Sequence, residues 1–149
     1  MDQDVIASAL AGNDGFVKVL GPEVLRAVPG DVRLRLDAGP ELHQHFGGPH
    51  AAVIFGLGET AAFCLLLAEF GDLVEAGAAP LVKDARIGYT AIATGPLLAT
   101  ARLVDDAAAA RAVFAERGSM RFDVEVVFTR EDDGSETSRA TYRMGVKRF

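Results

Sequence analysis

One segment of the chain is apolar enough to be a membrane span, and it limits what the chain can fold into. Residues 51–68 read AAVIFGLGETAAFCLLLA and contain a single charged residue, Glu59. Eighteen apolar residues reach the length of a transmembrane helix. However, a carboxylate at the midpoint costs about 2.5–3.5 kcal/mol on insertion, and no lysine or arginine flanks the segment to orient it. We therefore predict a long helix that is covered on every side by the rest of a soluble fold.

The rest of the sequence supplies strands that could cover this helix. Residues 31–37 and 121–130 alternate between apolar and polar side chains, which is typical of an antiparallel sheet with one face in water. A third alternating run follows Asp133-Gly134, which is a two-residue hairpin signal. Weaker runs over residues 81–93 and 96–104 complete five predicted strands.

Helical patterns occupy the two remaining parts of the chain. Residues 1–30 are predicted as an N-terminal helical segment, with a helix over 4–10 and a short turn starting at Pro22. Residues 105–118 form a helical insert between strands, capped by Asp105 or Asp106 and ended by Gly118. The prediction is an α+β protein over residues 1–149, a single domain in which a five-stranded antiparallel sheet wraps around a long central apolar helix. This arrangement is the hotdog fold.

Composition excludes several classes of function. The net charge of −6 argues against a nucleic-acid surface, because phosphate contacts call for a basic stripe. The single cysteine, Cys64, cannot form an intramolecular disulfide and is expected to be a buried, inert thiol. The acidic N-terminus does not resemble a signal peptide. We expect a cytoplasmic protein without a membrane span.

Three histidines, His43, His45 and His50, lie close together with Glu41. Imidazoles and a carboxylate are competent metal ligands. The histidines lie in a predicted loop, and no HxxxH pair or second cluster accompanies them. We predict no metal site, and we expect His50 to act in a substrate loop or as a helix cap.

The acid in the apolar helix has two interpretations. A carboxylate held away from water would favour its protonated form, which suits a general base near neutral pH. Alternatively, Glu59 reaches the helix surface and pairs with an arginine such as Arg86 or Arg102. Gly56 and Gly58 likewise indicate either close approach of a ligand or tight packing of the helix against the sheet.

The segment GGPHAAVIFGLGETAAF resembles the HGG…(A/V)(D/E) signature of hotdog acyl-CoA thioesterases of the phenylacetate-pathway and 4-hydroxybenzoyl-CoA type. The later run IGYTAIATGPLLATARLV is similar to the second and third strands of these enzymes. The resemblance covers roughly residues 30–149. It implies hydrolysis of an acyl-CoA or acyl-carrier-protein thioester without a cofactor, coenzyme A being part of the substrate. It also implies a homodimer or a dimer of dimers.

Matching positions carry implied catalytic roles. Glu59 corresponds to the general base or nucleophile, and Gln44 to the residue that positions water or the thioester. His50 matches the motif histidine. The backbone N–H of Ala51 corresponds to the group that polarises the thioester carbonyl, at the N-terminus of the helix. In this family each site combines two subunits, which would place Glu59 on one chain and Ala51 on its partner.

Further positions are expected to bind substrate, and some depart from the family pattern. The predicted contacts are Phe46, Gly47, Gly48, Gly56 and Phe63. His50-Ala51-Ala52 replaces the HGG triplet, and Phe63 stands where branches that use glutamate often have a hydroxyl. These departures favour an alternative function, a non-catalytic hotdog protein that binds an acyl thioester or a lipid-like small molecule.

Overall fold

The computed structural model describes residues 1–149 and surrounds one long helix with a sheet and two shorter helices. The helices are α1 (Gln3–Ala11), α2 (Phe16–Leu20), α3 (Ala51–Glu75) and α4 (Ala107–Arg117). The strands are β1 (Glu23–Val28), β2 (Asp31–Leu36), β3 (Ala79–Tyr89), β4 (Leu97–Leu103), β5 (Ser119–Arg130) and β6 (Glu136–Lys147).

All six strands form one antiparallel sheet in the order β1-β2-β4-β5-β6-β3, so that β1 and β3 are its edges. Side chains on its inner face alternate with exposed ones as the sequence predicts. The buried residues of β5 and β6 include Phe122, Val124, Val126, Phe128, Ala140, Tyr142, Met144 and Val146. These residues pack against α3 and form the centre of the core.

Three details of the predicted architecture were wrong. The sheet has six strands, because β1 lies within the segment predicted to be wholly helical, and Pro22 precedes this strand instead of starting a helix. The alternation in β1 is poor, which hides it in the sequence. The β5–β6 connection is a five-residue loop, 131–135, in which Gly134 has a positive φ of 71°.

Helix α3 is the apolar segment from which the sequence argument began. By length and composition it could cross a membrane, but 72% of its most apolar window is buried inside the fold. The Tyr142 hydroxyl fixes it to the sheet by donating a hydrogen bond to the carbonyl oxygen of Phe55, 2.6 Å away. A Cβ on Gly58 would lie 2.6 Å from Cζ of Phe128 and would also collide with the Tyr142 hydroxyl. Gly58 is therefore explained by packing of the helix against the sheet.

The N-terminal helices cover the side of α3 that faces away from the sheet. The backbone nitrogen of Met1 donates to the carbonyl oxygen of Leu67, 3.1 Å away, and Asp2 caps α1. At the other end of this cover, the ring of Phe16 rests on Gly56, where a Cβ would lie 2.5 Å from Cε1 of the ring. The cover therefore runs along α3 from Leu67 back to Gly56.

We expect Gly58→Ala to destabilise the protein despite the better helix propensity of alanine. The added methyl group collides with two buried rings, and overpacking of this kind costs about 1–3 kcal/mol. Urea unfolding would measure the loss. Gly88→Ala is the matched control, because a Cβ there meets no atom within 4 Å. Equal midpoints for the two variants would contradict this account of Gly58.

We expect the thiol of Cys64 to be inert in the native protein. The side chain is fully buried, and burial raises the pKa of the Cys64 thiol to about 12. A thiol reagent at pH 8 should therefore label it only after unfolding. Above about pH 8.5 the unfolded thiol ionises and the folded one does not, so stability should fall more steeply with pH than in Cys64→Ala. Rapid labelling without denaturant would contradict the prediction.

Candidate active site

Glu59 lies on the face of α3 that points away from the sheet, and it is exposed in the single chain. The expectation of a fully surrounded helix was wrong at this position, because α1 and α2 leave a gap over the carboxylate. Glu59 takes part in none of the ion pairs of the structure, and neither do Arg86 and Arg102. The predicted alternative of a surface ion pair with these arginines is therefore also wrong.

The gap is a half-open cleft of about 580 Å³, called the Glu59 cleft below. One wall is a helical stripe of α3 that comprises Gly56, Glu59, Thr60, Phe63 and Leu67. The opposite wall comes from α1, α2 and the turn between them, through Ala9, Leu10, Asn13, Phe16 and Val17. The predicted substrate residues Gly56 and Phe63 thus share a cleft with the candidate acid.

The N-terminus of α3 has one backbone donor free. His50 is the N-cap, and its Nδ1 accepts a hydrogen bond from the Ala52 N–H at 3.1 Å. The N–H groups of Val53 and Ile54 both donate to the His50 carbonyl oxygen. The exposed N–H of Ala51 donates to no protein acceptor. A free N–H at the positive end of a helix dipole can bind a developing oxyanion.

The loop before α3 is held in shape by Gln44 and two glycines. Gln44 donates from its backbone N to the Gly48 carbonyl and from Nε2 to the Gly47 carbonyl, at 3.0 and 3.2 Å. Both glycines have φ near +80°, and a Cβ on Gly48 would collide with the carbonyl oxygen of Ala93. Phe46 is 73% exposed beside these glycines, and its ring contacts that of His45 in a tilted arrangement. Backbone geometry alone thus accounts for Gly48.

The predicted catalytic residues fall into two separate clefts of the chain. Gln44, His50 and Ala51 line a second cleft of about 230 Å³ together with Tyr89, whose hydroxyl donates to the Ala51 carbonyl at 3.0 Å. Glu59 is not among its lining residues. Eight residues of helix separate Ala51 from Glu59, which is about 12 Å along the axis. One thioester carbonyl cannot reach both groups of the same chain.

The remaining histidines have structural contacts. Nε2 of His43 lies 2.9 Å from the carbonyl oxygen of Ala38, and the His45 ring contacts the Phe46 ring at a tilted angle. No group of three or more His, Cys, Asp or Glu side chains is arranged to hold a metal ion.

Sequence reasoning missed several residues around the site. Asn13, Phe16 and Leu67 line the Glu59 cleft, and Tyr89 lines the second cleft. A contact at the position of Phe16 had a detectable signal in Gly56, because a glycine inside a helix often marks the close approach of another group. Leu67 and Tyr89 lie in ordinary helix and strand patterns, and Asn13 lies in the turn between α1 and α2. Tyr142 is also part of the surroundings: burial, followed by the nearby Tyr89 and Glu59, raises the pKa of its hydroxyl.

Comparison with solved structures identifies the fold. A protein of unknown function from Pseudomonas aeruginosa, described as a probable thioesterase, is 24% identical with a TM-score of 0.83, over 99% of this chain and 96% of that one. Zebrafish thioesterase superfamily member 2 is 21% identical with a TM-score of 0.75, over 96% of both chains. A protein of unknown function from Chlorobaculum tepidum is 10% identical with a TM-score of 0.86, over 98% of this chain and 94% of that one.

These likenesses confirm the predicted hotdog fold, whereas the finer assignment to the phenylacetate-pathway and 4-hydroxybenzoyl-CoA type stays a prediction. No curated protein sequence matches the chain significantly. A family model described as "Domain of unknown function (DUF4442)" matches residues 4–146. The chain therefore has the hotdog fold and belongs to the DUF4442 family.

Proposed function

We propose that the protein is a thioesterase that hydrolyses an acyl thioester of coenzyme A or of an acyl carrier protein. The observation that carries the proposal is the carboxylate of Glu59, which has no ion-pair partner and lines an apolar cleft. A structural acid on a core helix would normally be paired or point away from apolar walls. The thioesterase descriptions of two similar structures support the same reaction.

In the proposed reaction Glu59 acts as general base. Its carboxylate takes a proton from water, and the resulting hydroxide attacks the thioester carbonyl carbon. The carbonyl oxygen gains the negative charge and is stabilised by the free N–H of Ala51. Collapse of this intermediate breaks the C–S bond, and the proton held by Glu59 leaves with the thiolate. Direct attack of the carboxylate on the carbonyl is the nucleophilic variant of the same scheme.

We also propose that each active site combines two chains. The 12 Å separation estimated above prevents one chain from supplying both Glu59 and Ala51. Strand β3 is an open edge of the sheet, and it and the following loop expose the apolar residues Val82, Tyr89 and Ile92. An unpaired edge of this kind is a template for pairing with a second copy. In an isologous dimer, Glu59 of one chain would face Ala51 of its partner.

A second candidate is a protein that binds an acyl thioester or lipid-like molecule without cleaving it. Phe63 favours it, because this apolar side chain lines the Glu59 cleft where a hydroxyl could have held the attacking water. Release of free thiol from acyl-CoA separates the two functions.

We expect Glu59→Gln to lower kcat for acyl-CoA hydrolysis by about 100- to 10,000-fold, because the amide cannot accept the proton of water. Thiol release measured with a chromogenic disulfide gives the rate. Glu75→Gln, at the exposed end of the same helix, is the control and should keep its activity. Unchanged turnover in Glu59→Gln would refute the catalytic assignment.

We expect Ala51→Pro to lower kcat about 100- to 1,000-fold by deleting the oxyanion donor. Proline is tolerated at the first position of a helix, and the preceding His50 has φ −63° and ψ 148°, which a following proline allows. The fold should therefore survive, which circular dichroism can check. Ala51→Gly keeps the N–H and is the control. Equal loss in both variants would show that the N–H is not the group that matters.

Mixing the two variants tests the two-chain site. A dimer with one Glu59→Gln chain and one Ala51→Pro chain retains one complete site, so random mixing should restore about a quarter of the activity. A site contained within one chain would show no recovery.

A further inference from the structure

From the Glu59 cleft we infer the chain length of the acyl group, so this inference rests on the proposed function. The cleft is a groove that runs along α3 from Gly56, past Glu59, to Leu67. We propose that it binds an unbranched acyl chain of about eight to ten carbons. The thioester would lie at Glu59 and the methyl end at Leu67.

The apolar part of the cleft extends in one direction from the acid. Gly56 is only one turn before Glu59, and there the ring of Phe16 rests on the helix. In the other direction the groove continues over Phe63 to Leu67, with Leu10 and Ala9 of α1 on the opposite wall. An acyl chain with its carbonyl carbon at Glu59 therefore has room only towards Leu67.

The groove also ends at Leu67. Beyond this residue α3 is covered by Met1, whose nitrogen bonds to the Leu67 carbonyl at 3.1 Å. The Met1 side chain is packed on the next turn, where a Cβ on Gly71 would lie 2.7 Å from its Cγ. This contact closes the far end against a longer chain.

The length of the groove sets the length of the acyl chain that it can bind. Glu59 and Leu67 are eight residues apart on one helix, which is about 12 Å. An extended chain advances about 1.2 Å per bond, since the three backbone bonds of a peptide residue span about 3.5 Å. Twelve ångströms therefore correspond to at most about ten bonds, and the radius of the terminal methyl group must fit within the same length. Lengths of eight to ten carbons fill the groove, and much longer chains would meet Met1.

The lining also constrains the far end of the acyl group. No lysine or arginine lines the cleft, and its polar side chains, Asn13, Glu59 and Thr60, leave the Leu67 end apolar. Thr60 donates its hydroxyl proton to the Gly56 carbonyl at 2.8 Å, which satisfies that donor within the helix. The lining at this end therefore suits the apolar methyl end of an acyl chain.

The test measures hydrolysis of saturated acyl-CoAs with acyl groups of four to sixteen carbons by the full protein chain. We expect kcat/KM to peak at eight to ten carbons and to fall at least tenfold by sixteen. A flat profile, or a peak at four or sixteen carbons, would overturn the inference and leave the thioesterase proposal standing.

Two variants place the length limit in this cleft. Ala9→Leu adds a larger side chain to the α1 wall and so narrows the cleft, and Leu67→Phe fills the closed end of the cleft. Each should lower the ratio of kcat/KM for decanoyl-CoA to that for butyryl-CoA at least tenfold. Ser8→Leu adds the same side chain to the neighbouring exposed residue, which does not line the cleft, and should leave the ratio unchanged. Equal ratios in Ala9→Leu and Ser8→Leu would overturn the inference, even if Leu67→Phe failed to fold.

A binding measurement separates this inference from the proposed reaction. A decanoyl-CoA thioether, which cannot be hydrolysed, would be titrated calorimetrically into the wild type, Ala9→Leu and Ser8→Leu. Tighter binding to wild type and Ser8→Leu than to Ala9→Leu, without turnover of any thioester, would support the cleft and refute the enzyme. Equal binding to all three proteins would overturn the cleft.

Discussion

The fold depends on covering a helix that is apolar around most of its circumference. Such a helix is stable in water only if other elements remove it from solvent on every side. The sheet does this on one side through its alternating inner face, and α1 and α2 do it on the other. The hydrogen bond from Tyr142 to the Phe55 carbonyl fixes α3 at one height against the sheet. Because Ala51 and Glu59 both lie on α3, this hydrogen bond also sets their position relative to the sheet.

Most of the fold could be predicted because its main signals are local and strong. The length of α3 and the alternation of β2, β5 and β6 led directly to a helix wrapped by an antiparallel sheet. The elements that were missed have weak local signals. Strand β1 is half exposed and lacks clear alternation, and α2 is too short to show a helical period. Both depend on tertiary contacts, such as Phe16 on Gly56, that no local pattern encodes.

The candidate site was predictable in its residues but not in its environment. Glu59 was singled out because a carboxylate in an apolar run is costly, and the structure leaves it unpaired in an apolar cleft. The sequence left its exposure as one of two alternatives, because the gap above it depends on how two distant helices pack. The division of Ala51 and Glu59 between two clefts follows from their separation along one helix. The packing requirement at Gly48 could not be predicted, since its close approach to Ala93 joins two loops far apart in sequence.

The division of the Glu59 cleft between two parts of the chain has a consequence for how such a protein can diverge. The wall that carries the acid belongs to the core helix, where most substitutions threaten stability. The other wall belongs to α1, where residues such as Ala9 are exposed and substitutions cost little. If the Glu59 cleft binds the acyl chain as proposed, substitutions at exposed positions of α1 such as Ala9 change ligand preference while leaving the chemistry and the core untouched. In such a fold, specificity can change on α1 without a loss of the stability that depends on α3.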